Sequence, residues 1–163
     1  MLALTLNTVK NLHEVVIKHG AEKGFKSEGV LIACLDRPFT NFYNHNPFHT
    51  IFNKASALLY CIAGPFHPFN DGNKRTALLV NSYFLQVNGY EFNYPDNTYE
   101  FIKSIASNKI KSNIKISKWI QQACEKNEYY GYDDDERISL LNAKPVRIYD
   151  YENEEVTLEL EKR

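Results

Sequence analysis

What this chain lacks narrows it first. Its 163 residues hold only three cysteines, Cys34, Cys61 and Cys124. They are odd in number, far apart and form no CxxC, which argues against a disulfide framework or a zinc ribbon and for reduced thiols in the cytoplasm. Cys61, inside an apolar run, reads as core. No apolar stretch approaches the ~20 residues of a membrane span, and the first residues carry no signal-peptide core. There is no internal repeat and no low-complexity tract. Asp133, Asp134 and Asp135 are consecutive, unlike the alternating ligands of a calcium loop. His45 and His49 have helical spacing but straddle Pro47, which argues against a metal pair.

Net charge is also small, −1, but it hides an asymmetry. Residues 1–123 carry 13 Lys/Arg against 8 Asp/Glu, a net of +5, and residues 124–163 carry 6 against 12, a net of −6. The basic body suits an anionic cofactor and is too weak for direct nucleic-acid binding. The acidic tail either solvates itself or docks on the basic part. The length suits one domain that buries roughly 70% of its unfolded surface.

Periodicity predicts a mostly helical chain. A first helix is expected from an N-cap at Asn7 to His19, stopped by Gly20, with Val9, Leu12 and Val16 inward and His13 and His19 on the surface. A short helix capped by Ser27 ends before Pro38. Residues 39–49 form a loop rich in aromatics and amides. A strong helix is expected from Pro47 to Ala63, with Phe48, Ile51, Phe52, Ala55, Leu58, Leu59 and Ile62 as its buried stripe. The helix from Asn73 to about Asn88 is apolar on most sides, as the centre of a bundle should be. Residues 89–96 read as turn or short strand, and helices near 97–107 and 114–126 follow, with Trp119 in the core. Beyond a possible helical turn, Pro145–Tyr151 and Glu155–Glu161 alternate apolar and polar residues, with Val146, Ile148, Val156, Leu158 and Leu160 inward, which predicts a β-hairpin.

The stretch with chemistry in it is His67-Pro68-Phe69-Asn70-Asp71-Gly72-Asn73-Lys74-Arg75-Thr76-Ala77-Leu78. A loop that ends in a helix start gathers unpaired N–H groups and the positive end of the helix dipole. Gly72 allows close approach to that backbone, and Lys74 and Arg75 bring full charges, so the turn reads as an anion site for a nucleotide's phosphates. Asp71 is placed to hold Mg²⁺ against them. His67 is the one nearby side chain whose ordinary pKa suits a general base at neutral pH. Each residue also has a plainer reading: His67 as a core histidine, Asp71 as an N-cap, the two cations as a solvated face. Phe69 reads as a plug under the loop that fixes where His67 points. The convergence of these groups within nine residues favours the chemical reading.

His67, Phe69, Asp71, Asn73, Lys74 and Arg75, followed by Thr76-Ala77-Leu78, resemble the signature of the Fic/Doc superfamily in its Doc (death-on-curing) branch. Leu35-x-Arg37-Pro38, Ala55-x-Ala57-Leu58-Leu59 and Asn88-Gly89-Tyr90 agree with it. The resemblance covers residues 1 to about 123. It implies an all-α, compact Fic-type bundle of about six helices around the central motif helix, residues 1–126; residues 127–163, an acidic extension whose alternation predicts a hairpin, lie outside the resemblance. It also implies transfer of part of ATP, with Mg²⁺, onto a hydroxyl of a protein substrate. By that resemblance His67 takes the hydroxyl proton, Asp71 holds the metal, and Asn70, Gly72, Asn73, Lys74 and Arg75 form the phosphate site. Residues 39–49 resemble the family's flap over the active site, with Phe42 and Tyr43 as target contacts.

The adenylyl-transferring branch has glycine at position 74 and a second arginine at position 78, where this chain has Lys74 and Leu78. Doc-branch proteins have the lysine and present the γ-phosphoryl group. That makes kinase chemistry the expectation and AMP transfer the alternative, although Gly72 stands where some Doc motifs have alanine. A catalytically silent binding module is the reading from a different class. The implied setting is a toxin of a toxin–antitoxin pair that modifies elongation factor Tu and is neutralised by its antitoxin. The self-inhibitory Ser/Thr-x-x-x-Glu-Gly/Asn string is not found. Because a −6 tail stands beside a +5 body, residues 127–163 are expected to regulate the site in cis, to mediate pairing as a homodimer, or simply to cap the bundle.

Overall fold

The computed structural model describes residues 1–18, 20 and 22–159. The expectations that the first helix reaches His19 with its side chain at the surface, and that Leu160 and Glu161 extend the last strand, lie outside those residues.

Helix α1 (Leu6–Ile17) starts one residue before the expected cap. Thr5 takes that role, its hydroxyl accepting from the Thr8 N–H at 3.0 Å, which leaves Asn7 inside the first turn. Its buried face is Thr8, Val9, Leu12, His13 and Val16. His13 therefore corrects the expectation of a surface residue: it is only 4% exposed. It falls on the same i, i+3, i+4, i+7 stripe as Val9, Leu12 and Val16, and helix geometry carries it inward with them.

Helix α2 (Glu28–Asp36) is capped by Ser27 as expected and runs into a 3₁₀ turn, Arg37–Phe39, where Pro38 prevents its continuation. The following loop folds back on itself. Phe42 and His45 exchange backbone hydrogen bonds of 2.7 and 2.8 Å, and Tyr43 and Asn44 between them both have positive φ. That is the two-residue hairpin turn whose twist matches its flanking strands.

Helix α3 (Ile51–Ala63) begins at the Thr50 cap, not at Pro47. The Thr50 hydroxyl accepts from the Asn53 N–H at 3.1 Å, and Asn46 accepts from the Phe48 N–H at 2.7 Å, so a side-chain turn holds Pro47 outside the helix. Helix α4 (Asn73–Val87) packs along α3, and every residue from Thr76 to Leu85 is buried. The central-helix expectation is met. Asn88 ends α4, its side chain bonding the backbone of Leu2 and Phe84.

Strand β1 (Tyr90–Phe92) follows, then α5 (Thr98–Ala106) and α6 (Asn113–Gln122). The expected helix to residue 126 stops early. Residues Cys124–Lys126 form β2, antiparallel to β1 with Phe92 opposite Cys124. The Ala123 carbonyl accepts from the Asn93 N–H at 2.9 Å, and the Asn127 N–H donates to Gly89 at 3.1 Å, so edge pairing replaces the last helical turn. Trp119 lies in the core, stacked on Phe101 with ring centroids 4.2 Å apart, and its indole N–H reaches Asn97 at 3.1 Å.

Helix α7 (Asp134–Ala143) opens with a full capping box between Asp133 and Glu136. Strands β3 (Val146–Tyr149) and β4 (Glu155–Leu158) then form the expected hairpin, antiparallel with Ile148 opposite Val156. Val146, Ile148 and Val156 are buried, and β3 packs on α4. The fold is an all-α bundle around α4 with a C-terminal hairpin, with seven α-helices among the described residues and two small two-stranded sheets.

Candidate active site

The loop from His67 to Gly72 is stitched down on both sides. Phe69 is fully buried, stacked on the His13 ring at 3.8 Å and 15°, with Phe25 against it at 5.3 Å. The backbone of Phe69 is clamped by one side chain: its N–H donates to Asn73 Oδ1 and its carbonyl accepts from Asn73 Nδ2, both at 3.0 Å. The Pro68 carbonyl accepts from the Lys26 N–H at 2.9 Å, the Asn70 N–H donates to Gly24 at 3.0 Å, and Asn70 Nδ2 donates to Lys23 at 3.1 Å. Phe69 is thus packed beneath the loop. The amides of Asn70 and Asn73 hold the loop, and an anion would meet the backbone they position.

Gly72 is the N-cap of α4, at φ +76°, and makes no side-chain cap. The N–H groups of Asn73, Lys74 and Arg75 at this helix start therefore have no capping side chain to bond. A Cβ at this position would lie 2.9 Å from Val16 Cγ1 and 3.6 Å from His13 Cε1, so the missing side chain makes room for α1. The left-handed backbone adds a second reason.

His67 is half-buried and also adopts a positive φ, 39°. Among the described residues its ring makes no hydrogen bond. Burial holds its imidazole below the usual value, and the Lys26 and Lys74 ammonium groups push it the same way. The ring is thus neutral at neutral pH and able to accept a proton. A positive φ in a bulky residue costs of order 1–3 kcal/mol and is held in place by surrounding structure, a pattern that clusters at functional sites.

Asp71 is exposed and is not the cap of α4. Its Oδ1 accepts from the Gly72 N–H at 2.6 Å and its Oδ2 from the Glu22 N–H at 3.3 Å. Those two N–H groups, then Arg75 and Lys74, hold its carboxyl below the usual carboxylate range. No cluster of three metal-ligating side chains occurs among the described residues. A single ionised carboxylate beside a cationic anion site still fits Mg²⁺, which is commonly held by one or two carboxylates together with substrate phosphates. It would not fit a protein-enclosed metal.

Lys74 and Arg75 are both exposed at the first turn of α4. Arg75 lies beside the turn of the C-terminal hairpin, where Asp150, Tyr151 and Glu152 close a small cavity against Val15 and Val16. On the other side, Phe66, next to His67, shares a cavity of about 360 Å³ with Phe42, Val30, Cys34, Arg37 and Cys61. Tyr43 at the tip of that small hairpin is fully exposed.

Sequence reasoning missed His13 and the segment 22–27. His13 Nδ1 lies 2.9 Å from Thr76 Oγ1 in the first turn of α4. Its register on α1 was the available signal. Segment 22–27 carries no pattern of its own and gains its place only by pairing, through the Phe25–Phe69 bridge, with the signature loop.

The structure thus brings a carboxylate, two cations and a histidine together at the glycine-capped start of a buried central helix. The Fic/DOC family model matches residues 3–85, half of the chain, and the chain belongs to that family. Its likeness is to the Doc branch. It is 36% identical over 75 residues to a protein named Toxin Doc of Mycolicibacterium smegmatis (strain ATCC 700084 / mc(2)155), a stretch covering 46% of this chain and 57% of that relative. The match thus spans a little over half the relative's length.

Proposed function

We propose that this chain is a Doc-like toxin that transfers the γ-phosphoryl group of ATP to a hydroxyl of a target protein. The observation that carries this reading is the juxtaposition of a neutral, half-buried His67 with the uncapped, doubly cationic start of α4. In the proposed reaction the His67 imidazole accepts the proton of a Ser, Thr or Tyr hydroxyl as its oxygen bonds the γ-phosphorus. The bond from that phosphorus to the β–γ bridging oxygen breaks, and ADP leaves. The open amides of Asn73, Lys74 and Arg75, with the Lys74 and Arg75 charges, stabilise the phosphate oxygens, so catalysis is largely positioning and charge neutralisation. Mg²⁺, held through Asp71, would neutralise charge on those phosphates.

Phosphoryl transfer is preferred over AMP transfer for two reasons. Lys74 occupies the place that is glycine in the adenylyl-transferring branch. Leu78, where that branch has its second arginine, is 3% exposed and packed in the core, so that position presents no cation to a nucleotide. The small hairpin around Tyr43, beside Phe66, is the element proposed to align the target polypeptide. Following the name of the bacterial relative and the family resemblance, the target class is the translation machinery, with elongation factor Tu first among candidates, and a cognate antitoxin is the expected partner.

The test is incubation with bacterial lysate and ATP labelled at the γ- or the α-phosphate. Label carried only from the γ position supports the kinase reading. Transfer from the α position replaces it with AMP transfer, and no transfer from either with purified elongation factor Tu and lysate supports a binding module. His67→Ala should reduce any transfer by about 10³-fold, the scale of a lost general base.

A further inference from the structure

His13 lies outside the signature and outside every role assigned above. It is 4% exposed, on the inner face of α1. Two contacts and one close approach tie it to the site. Its ring stacks on Phe69 at 3.8 Å, its Nδ1 meets Thr76 Oγ1 at 2.9 Å, and its Cε1 lies 3.6 Å from where a Cβ on Gly72 would stand. One ring thus touches the plug under the loop and the first turn of α4, and lies beside the space a side chain on the capping glycine would fill. The fourth observation is its cost: Nε2 is buried with no hydrogen-bond partner among the described residues. A phenylalanine would stack on Phe69 equally well without burying an unpaired nitrogen. Packing therefore accounts for a ring at this position but not for an imidazole.

We infer that His13 is a positioning residue: through its Nδ1–Thr76 bond and its stack on Phe69 it sets the height of the signature loop against the first turn of α4, so that His67 and the open amides address the same phosphate. This rests on the reading of the site as a phosphotransfer centre. Thr76 is fully buried and its N–H donates to the Gly72 carbonyl at 2.8 Å, so a pull on its hydroxyl is transmitted to the capping glycine. Asn73 transmits the same restraint from the helix to Phe69 and hence toward His67. The chain from His13 to His67 is short and made only of bonded or stacked groups.

The experiment compares four purified full-length variants, His13→Phe, Thr76→Val, the double variant and His13→Asn, by kcat, KM for ATP, thermal midpoint and the ¹⁵N shifts of the His67 ring without nucleotide. His13→Phe keeps the stack and removes the unpaired nitrogen but leaves the buried Thr76 hydroxyl without its partner, so the two effects offset and it should melt close to the wild-type temperature. Its kcat should nevertheless fall by about 30-fold with KM changed by less than about twofold, the pattern of small misplacement at a positioned centre. Thr76→Val should lose a similar factor, and the double variant little more, because both cut one bond. His13→Asn, which restores a polar group near the Nδ1 position, should recover part of kcat. In His13→Phe and Thr76→Val the His67 ring shifts should move.

If His13→Phe keeps kcat within about twofold of wild type, or leaves the His67 shifts unmoved, the inference is overturned, whatever the site does. If His13→Phe fails to fold, Thr76→Val, a near-isosteric change, decides the same question. Should His67→Ala itself leave transfer intact, the reading of His67 as the base fails first. The ring shifts then still tell whether His13 positions His67.

Discussion

Helices α7 and α4 both begin in polar sequence, and they satisfy their first amides in opposite ways. At α7, Asp133 and Glu136 bond each other's backbone N–H at 2.9 Å, and Asp134, Asp135 and Glu136 place negative charge at the positive end of the dipole. Each such device is worth a fraction of a kcal/mol to about 2 kcal/mol. At α4 the cap is a glycine without a side chain, no acid stands in the first turn, and two cations stand where a helix least tolerates them. The surrounding burial of α4 makes that arrangement affordable. A helix held by its core can leave its start unsatisfied, and an unsatisfied start is what a phosphate completes.

Four substitutions or conditions sharpen or break this contrast. The largest effect is expected from giving α4 the chemistry of α7. Lys74→Glu should weaken ATP binding by roughly 100-fold or more, because a charge-assisted contact becomes a repulsion, while helix stability rises by about 0.3–1 kcal/mol. Calorimetric titration and a thermal melt on the same sample check both signs. A variant that loses stability as well would show that Lys74 already has a stabilising role in the empty site.

Gly72→Ala comes next. It forces a Cβ to within 2.9 Å of Val16 and into a left-handed backbone, so unfolding free energy should drop by about 1–3 kcal/mol in a denaturant titration. Unchanged stability would mean that α1 can withdraw from the loop. At α7, Asp133→Ala should cost about 1 kcal/mol and leave transfer rates untouched. A loss of activity there would tie the extension to the site.

The smallest effect is one of pH. Burial lowers the imidazole pKa of both His13 and His67. Below the ordinary value of about 6.5 the unfolded chain takes up protons that the folded chain does not, so stability falls as pH drops from about 6.5 to the folded values and is flat above. Transfer should share that direction, with its acid limb centred below 6.5, because His67 must be neutral to accept a proton. Denaturation midpoints at about pH 7.5 and about pH 5.5 check the first statement and a pH–rate profile the second. An acid limb centred above 6.5 would contradict the placement of His67 beside Lys26 and Lys74.

Much of the fold could be read along the chain. The near-continuous apolar character of Ala77–Leu85 announces a central helix, Ser27 announces a cap, and the alternation around Glu152-Asn153-Glu154 announces a hairpin. Where reading failed, a non-local partner had won over a local signal. Pro47 is tolerated at a helix start, yet Asn46 and Thr50 captured the backbone around it. Residues 124–126 continue a helical pattern, yet β1 offered an edge to pair with. The polarity of His13 points to the surface, yet its register between Leu12 and Val16 carries it inward.

The candidate site divides in the same way. Composition and order alone determined that a histidine, a carboxylate, a turn and two cations meet at one helix start, because all lie within nine residues and local geometry cannot separate them. Only the tertiary structure decided what holds them. Val16 explains the glycine, His13 and Phe25 grip Phe69, and segment 22–27 pairs with the loop. Those contacts join residues some fifty or sixty positions apart, which are adjacent only once the bundle has closed around α4.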